Sequence, residues 1–174
     1  MIYGAAMKVY NINEYGDNAQ FQCVDKDIPT LNSDEVLIKV CATSINPIDA
    51  KIRAGLIPHM EPTLPAVLHG DMSGVITACG SSITEFSVGD EVYGCVGGVG
   101  DRPGVLSEYI TVSEKFLAKK PSSLSLIEAA AIPLVGITAY IGLFEKLQLT
   151  QGEPVLIHGG VGGVGNIACQ LAKA

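Results

Sequence analysis

The sequence predicts a mostly β domain, a small barrel or sandwich, followed by the first β-α unit of a parallel α/β domain. Up to residue 112, short strand-forming runs alternate with glycine-rich turns, and no long helix intervenes. After Pro121 the pattern changes to helices, and near the end an apolar run stops in a cluster of glycines. We therefore expect two parts, residues 1–124 and residues 125–174.

Strand-forming segments dominate the first part. The strongest is residues 36–43, and a short helix is expected over residues 49–55, ended by Gly55. Residues 1–6 precede Met7, the natural start of the first strand, and are interpreted as a short extension. The other predicted strands are residues 8–12, 20–24, 74–78, 90–93 and 107–112.

The second part begins with helices. Ser125 and Glu128 have the spacing of a capping box, and Pro133 should end or kink the helix that they start. A second helix is predicted over residues 136–147 from its apolar spacing. The β-branched run at residues 155–157 predicts a short, buried parallel strand.

The glycines after that strand match the pattern G-x-G-x-x-G at Gly160, Gly162 and Gly165, and residues 166–174 favour a helix. This context predicts dinucleotide binding, because a helix N-terminus presents unpaired N–H groups and a positive dipole end to a pyrophosphate. We expect Gly160 to allow the tight turn, Gly162 to admit the phosphate, and Gly165 to let the helix pack. The alternative is a flexible glycine loop.

A second glycine-rich segment provides a control for this interpretation. Residues 94–100 look similar, but residues 101–104, Asp-Arg-Pro-Gly, cannot open a helix. We predict a surface loop there with no phosphate role.

Composition narrows the classes of function. An apolar content of 48% supports a packed core, and a net charge of -7 argues against nucleic acid or an anionic membrane as partner. Neither a membrane span nor a secretory leader is apparent. Five scattered cysteines without C-x-x-C suggest free thiols in a reducing cytoplasm.

The order of the motifs resembles the medium-chain dehydrogenase/reductase superfamily, in which a GroES-like catalytic domain precedes a Rossmann domain, and within it the zinc-independent quinone oxidoreductases. The resemblance implies a mostly β GroES-like barrel with short helices, followed by a truncated Rossmann domain. The ribose-selecting acidic residue would fall near position 180, so we expect the chain to be part of a longer enzyme. The matching segments are residues 46–49, 53–55, 70–74, 86–94, 129–133, 136–140 and the final glycine run.

The resemblance also implies which positions of this chain correspond to zinc ligands in related enzymes. Alignment by the neighbouring motifs puts Asn46, Gly70 and Leu134 at the ligand positions of the zinc-dependent relatives, and none of them is a zinc ligand. We therefore expect no metal. A slip in register would bring His69 to a ligand position, although a lone histidine there is more often a packed or exposed side chain.

The resemblance implies NADPH as cofactor and gives site residues. Asn46 and Thr138 would lie near the nicotinamide and its ribose, and Asp49 would orient its neighbours. The alternatives are a plain turn residue at Asn46 and a bond from Thr138 to its own backbone. Lys51 could protonate a substrate or be solvated, and Arg53 could meet a phosphate or form a surface pair. The cofactor-binding residues would be Asn46, Thr138, Gly160, Gly162, Gly163, Val164 and Gly165.

The resulting hypothesis is NADPH-dependent reduction of quinones by a cytoplasmic homodimer without zinc. One rival is a reductase of α,β-unsaturated aldehydes or ketones, and another is a non-enzymatic, crystallin-like nucleotide-binding protein. We expect the 174 residues alone to be inactive, because one β-α unit cannot enclose a dinucleotide. The unpaired strand at residues 155–157 should promote self-association.

Overall fold

The computed structural model describes residues 6–174. They form two compact units, one ending at Ala131 and the other spanning Ile132–Ala174. The first five residues of the expected extension lie outside the described residues.

The first unit is built mainly from strands, as predicted, and the strands pair antiparallel. Within residues 6–174, β1 (Ala6–Asn11) and β2 (Gln22–Asp27) form a two-stranded sheet. The strands of the larger, five-stranded sheet are β3 (Glu35–Thr43), β4 (Asp71–Cys79), β5 (Glu91–Cys95), β6 (Tyr109–Ser113) and β7 (Ala118–Lys119). Their order in the sheet is β6-β3-β4-β5-β7. Each strand predicted for the first part of the chain is present within a few residues of its expected bounds.

One buried cluster of the first unit packs against the larger sheet, and a second contains Leu37, the neighbour of Ile38 on β3. Ile38, Met72 and Val92 come from three neighbouring strands and are fully buried. In β5 and β6 the buried residues alternate with partly exposed ones, which is the two-residue period of a strand with one buried face. This packing fixes the ends of β3, β4 and β5, where the polar side chains described below are found.

Two short helices complete the first unit. Helix α1 (Pro47–Arg53) begins two residues before the predicted start because Pro47 suits the first helical turn. Helix α2 (Leu126–Ala130) has the predicted capping box. Glu128 N donates to Ser125 Oγ at 3.2 Å, and Ser125 N donates to Glu128 Oε2 at 2.8 Å.

Helix α2 packs against β3, β4 and β5, and Ser73 Oγ donates to the Leu126 carbonyl at 2.5 Å. The first compact unit therefore extends beyond residue 124. The assignment of residues 1–124 and 125–174 as catalytic and nucleotide-binding domains remains a prediction.

The second unit is helical. Helix α3 (Pro133–Tyr140) starts at the proline that was expected to end the preceding helix, and it continues as a π-helical segment, Ile141–Lys146. Helix α4 (Gly163–Lys173) packs on α3 and on the π-helical segment, and the buried cluster between them contains Ala139, Leu143 and Ala168. No helix of the described residues is long and apolar enough to cross a membrane.

One predicted strand is absent. Residues 155–157 adopt no regular structure, and Leu156 is 80% exposed. Residues 6–174 supply no strand that pairs with this segment. The prediction of a buried strand is wrong here because a strand is stabilised by hydrogen bonds to a neighbour and by cover on both faces, and apolar sequence alone provides neither.

Candidate active site

Asn46 occupies the turn between β3 and α1. Its backbone is extended (φ -110, ψ 155), and it is the N-cap of α1. The Asn46 backbone N donates to Asp49 Oδ2 at 2.7 Å, so the carboxylate holds the start of the helix. Both residues are buried. The structure thus places two of the predicted site residues in contact, and the orienting role of Asp49 in catalysis stays a prediction.

Asp71, at the start of β4, is fully buried and accepts a hydrogen bond from the Asn46 side chain. Its Oδ2 accepts from Asn46 Nδ2 at 2.9 Å and from Ser44 Oγ at 3.1 Å. Cys95 at the end of β5 also bonds to this carboxylate through its thiol. Three side chains, two from the turn between β3 and α1 and one from β5, therefore converge on Asp71, which was not among the predicted site residues.

The Cys95 thiol stays protonated over a wide pH range. Burial first, and then the Asp71 carboxylate, raise its pKa to about 12. A thiolate is the nucleophilic form of cysteine, so this arrangement makes Cys95 a hydrogen-bond donor and not a nucleophile.

Asp49 and His69 form a second pair of buried titratable groups. Burial raises the pKa of Asp49, opposed by the Asn46 N–H and by the charge of His69. Burial lowers the pKa of His69, opposed by the charge of Asp49. Both shifts favour the neutral forms because removing a charge from water is costly.

His69 is a packed side chain, as one of the two interpretations proposed. It is buried, lies edge-on to Phe21 with ring centroids 6.0 Å apart, and adopts a left-handed backbone (φ 68). Its Nδ1 has no hydrogen-bond partner among the described residues. The structure groups no three His, Cys, Asp or Glu residues of 6–174 in a way that could hold a metal ion.

Gly70 is needed for a close approach of two backbones. A Cβ atom at this position would lie 2.7 Å from the Gly97 carbonyl oxygen and 3.2 Å from Cys95 Sγ. A histidine at this aligned ligand position would therefore require the neighbouring loop to move. Neither the amide of Asn46 nor the missing side chain of Gly70 is the thiolate, imidazole or carboxylate donor that a zinc ion takes.

Two basic residues on α1 have different environments. Arg53 Nη1 donates to the Ala19 carbonyl at 2.7 Å and so ties the helix to the preceding loop. Lys51 is exposed. This backbone contact was not among the interpretations offered for Arg53, and a contact with a cofactor phosphate stays a prediction.

The glycine turn leads directly into α4. Gly162 is the N-cap, with extended backbone and no side-chain cap, and Asn166 N donates to the Gly162 carbonyl at 2.8 Å. The helix thus begins at Gly163, three residues before the predicted start. A Cβ atom on Gly165 would lie 2.1 Å from the Gly159 carbonyl oxygen, so Gly165 lets the helix start pack closely on the preceding turn.

The tight turn was expected at Gly160, and the left-handed residue of this turn is its neighbour Gly159 (φ 73). The sequence pattern missed Gly159 because it precedes the three fingerprint positions. A Cβ atom on Gly160 would instead meet Cys169 Sγ at 3.3 Å. Gly160 therefore serves packing between the turn and α4.

Thr138 lies on α3 and is exposed. Its Oγ1 donates to the Leu134 carbonyl at 2.7 Å, one helical turn earlier. This is the backbone bond that was the alternative to a cofactor contact. The hydroxyl proton is therefore used within the helix, and the oxygen can only accept from another molecule.

The control segment at residues 94–100 opens no helix, as predicted, but it is not a surface loop. Gly97 and Gly98 are buried. Cβ atoms there would lie 1.9 Å from the Pro103 carbonyl oxygen and 2.5 Å from that of His69. Glycine is required because these backbones touch.

Comparisons with known proteins agree with this architecture. A model of the alcohol dehydrogenase GroES-like domain matches residues 32–122. The 2-methylene-furan-3-one reductase of Solanum lycopersicum is 41% identical over 172 residues, which are 96% of this chain and 44% of that protein. The NADPH-dependent alkenal/one oxidoreductase, chloroplastic, of Arabidopsis thaliana is 40% identical over 150 residues, 84% of this chain and 39% of that protein.

Among solved structures, the quinone oxidoreductase from Coxiella burnetii superposes with a TM-score of 0.83 at 35% identity, covering 97% of this chain and 54% of that one. The chain thus spans about half the length of the relatives that it matches. The family model covers more than half of the 174 residues. The chain therefore belongs to the alcohol dehydrogenase GroES-like domain family of the medium-chain dehydrogenase/reductase superfamily.

Proposed function

We propose that the full-length protein containing this chain reduces quinones with NADPH by hydride transfer and without zinc. The observation that carries the proposal is the start of α4, where an uncapped helix follows a turn of glycines. The named activities of the related quinone and alkenal/one oxidoreductases support it.

The glycine turn has the chemistry that a pyrophosphate needs. The first N–H groups of α4, at Gly163, Val164 and Gly165, have no capping side chain. Gly162 offers no Cβ that would hold a phosphate away from them. Because the helix dipole adds positive potential at the same place, a diphosphate is the favoured ligand.

A bound nicotinamide supplies the hydride, and a proton from solvent completes the two-electron reduction of a quinone to a quinol. The chain's contribution is binding and orientation. Asn46 and Thr138 are the side chains that we propose for the nicotinamide and its ribose. The unsuitability of Asn46, Gly70 and Leu134 as zinc ligands supports a mechanism without a metal.

A second candidate is reduction of the carbon–carbon double bond of an α,β-unsaturated aldehyde or ketone. The names of the two plant relatives favour it. The two reactions give different products, since a quinone gains hydrogen on oxygen and an enone gains it on carbon.

The oligomer and location belong to the same proposal. We propose a homodimer in the cytoplasm; the five free thiols among the described residues support the reducing compartment. We also propose that the 174 residues by themselves bind NADPH weakly and do not turn over. Micromolar binding by this polypeptide would contradict that part.

The experiment uses the purified full-length protein. Oxidation of NADPH is followed with a benzoquinone and with a 2-alkenal, and the products are identified by mass spectrometry. Quinol formation that survives dialysis against a chelator supports the proposal, and a saturated aldehyde alone supports the second candidate. NADPH binding without turnover of either substrate would favour the non-enzymatic rival.

A further inference from the structure

Two acceptors face the same end of the Asn46 amide. One is Asp71 Oδ2, at 2.9 Å from Asn46 Nδ2. The other is Ser44 Oγ, at 3.5 Å from the same atom. Ser44 donates its own proton to Asp71 at 3.1 Å, so the hydroxyl can only accept from Asn46.

This arrangement determines which way the amide points. If the amide were turned round, its oxygen would face a carboxylate and a hydroxyl lone pair, with two repulsive contacts in a buried place. Only the NH2 group satisfies both acceptors. The orientation of the Asn46 amide therefore follows from the hydrogen-bonding character of Asp71 and Ser44.

The Asn46 NH2 group is thereby directed inward, toward Asp71 and Ser44, and Oδ1 is on the other side of the amide. The Asp49 N–H, at the start of α1, donates to the Asn46 backbone carbonyl at 3.0 Å, and in the capping box of this helix it also faces the Asn46 side chain. An amide oxygen has two lone pairs, so one of them is left for another molecule. Oδ1 is thus the atom through which the Asn46 side chain can serve a ligand, and it serves as an acceptor.

We propose that Asp71, supported by Ser44, is a positioning residue that fixes Asn46 as a hydrogen-bond acceptor for an O–H or N–H donor of the bound ligand. This rests on the proposed function, in which Asn46 contacts the cofactor. A sugar hydroxyl or the carboxamide NH2 of NADPH has the required chemistry. The carbonyl oxygen of the substrate does not, so Asn46 cannot stabilise the negative charge that grows there on reduction.

The test exchanges the two side chains. Asn46→Asp removes the donors and puts a second carboxylate against Asp71, so Kd for NADPH should rise roughly tenfold or more. In the double variant N46D/D71N, the amide introduced at position 71 donates to the carboxylate introduced at position 46, whose other oxygen still faces the ligand. Kd for NADPH, measured by nicotinamide fluorescence on the full-length protein, should return to within about fivefold of wild type.

A donor role of Asn46 toward the ligand would give a different result. If Asn46 acts as a donor to the ligand, both N46D and the exchanged pair stay impaired, and the proposal is overturned. Asn11→Asp is the matched control, because Asn11 is also buried but lies on β1, away from Asp71. It should lower the melting temperature and leave Kd unchanged.

Two further measurements test the proposal if the variants do not fold or if the wild-type protein does not bind NADPH. A crystal structure of the wild-type complex in which Asn46 Nδ2 leaves Asp71 to donate to NADPH contradicts the proposal. If wild type binds no NADPH, the proposed function fails. The hydrogen bonds that Asp71 and Ser44 make with the Asn46 side chain are then tested by hydrogen exchange of the Asn46 side-chain amide. The side-chain NH2 protons of Asn46 should exchange far more slowly than those of the exposed Asn18, and Ser44→Ala should accelerate their exchange. Equal exchange rates at Asn46 and Asn18 contradict the positioning of Asn46 by Asp71.

Discussion

A Cβ atom on Gly165 would lie 2.1 Å from the carbonyl oxygen of Gly159, so the first turn of α4 touches the backbone of the preceding glycine turn. The contact fixes where the helix N-terminus stands relative to the turn. Any side chain at Gly165 must separate the two, and the N–H groups at the helix start move with it.

Gly165→Ala should therefore destabilise the protein and weaken NADPH binding. Overpacking of this kind costs about 1–3 kcal/mol, and loss of the helix start should raise Kd for NADPH about tenfold. Gly142→Ala is the control, because a Cβ atom there meets nothing within 4 Å. Thermal unfolding and NADPH titration measure both effects, and equal behaviour of the two variants would contradict the packing argument.

Stability should fall at alkaline pH because of Cys95. Its pKa is raised from 9.0 to about 12 in the folded protein, so the unfolded chain loses this proton first. The contribution is complete below pH 9 and is lost as the pH rises toward 12, with a slope of at most about 1.4 kcal/mol per pH unit. Urea unfolding from pH 8 to pH 10.5 should show a shallower decline for Cys95→Ser than for wild type. Parallel curves would be inconsistent with a buried, protonated thiol.

The capping box of α2 should be worth a measurable free energy. Ser125→Ala removes the acceptor for the Glu128 N–H and should lower the free energy of unfolding by about 1 kcal/mol. Ser123→Ala, at an exposed position two residues earlier, should change it by less than about 0.5 kcal/mol. Chemical unfolding of both variants gives the comparison, and a Ser125 effect as small as that of Ser123 would mean that the box contributes nothing.

The bond from Thr138 to the Leu134 carbonyl leaves its oxygen as an acceptor. If Thr138 contacts the cofactor as proposed, Thr138→Val should raise Kd for NADPH several-fold, whereas Thr138→Ser should stay within about twofold of wild type. Titration of the full-length protein tests this. Equal affinity of the valine variant and wild type would leave Thr138 with a purely local role.

The 174-residue polypeptide should self-associate through the segment at residues 155–157. Leu156 is 80% exposed and lies in an apolar run without a partner strand among the described residues. Leu156→Lys should reduce association in sedimentation velocity experiments at high concentration. Ile127→Lys, at a site 77% exposed on α2, is the control and should leave it unchanged. A monomeric wild type would show that the exposed run is harmless.

Local patterns predicted much of the fold. Strands in the first unit, the Ser125–Glu128 box and the break at Pro133 follow from spacing and from the backbone limits of proline. Gly165 was predicted to let α4 pack against the preceding strand, and the structure shows the close approach with the Gly159 backbone instead. These features depend on residues close together in sequence, so the sequence contains the information.

The errors have a common cause. Residues 155–157 were predicted as a strand from composition, but a strand depends on its neighbours. Gly97 and Gly98 were assigned to a surface loop, yet they are buried against Pro103 and His69. Burial of a loop depends on distant backbone, which no local pattern reports.

What the sequence by itself determined is the order of elements, the family and the identity of Asn46, Asp49 and the terminal glycines as candidates. Only the tertiary structure decided that Asp71, 25 residues beyond Asn46, accepts hydrogen bonds from both the amide of Asn46 and the thiol of Cys95. The physical reason is that hydrogen bonds between side chains depend on where strand ends meet. That meeting point is set by the packing of β3, β4 and β5, and sequence spacing does not encode it.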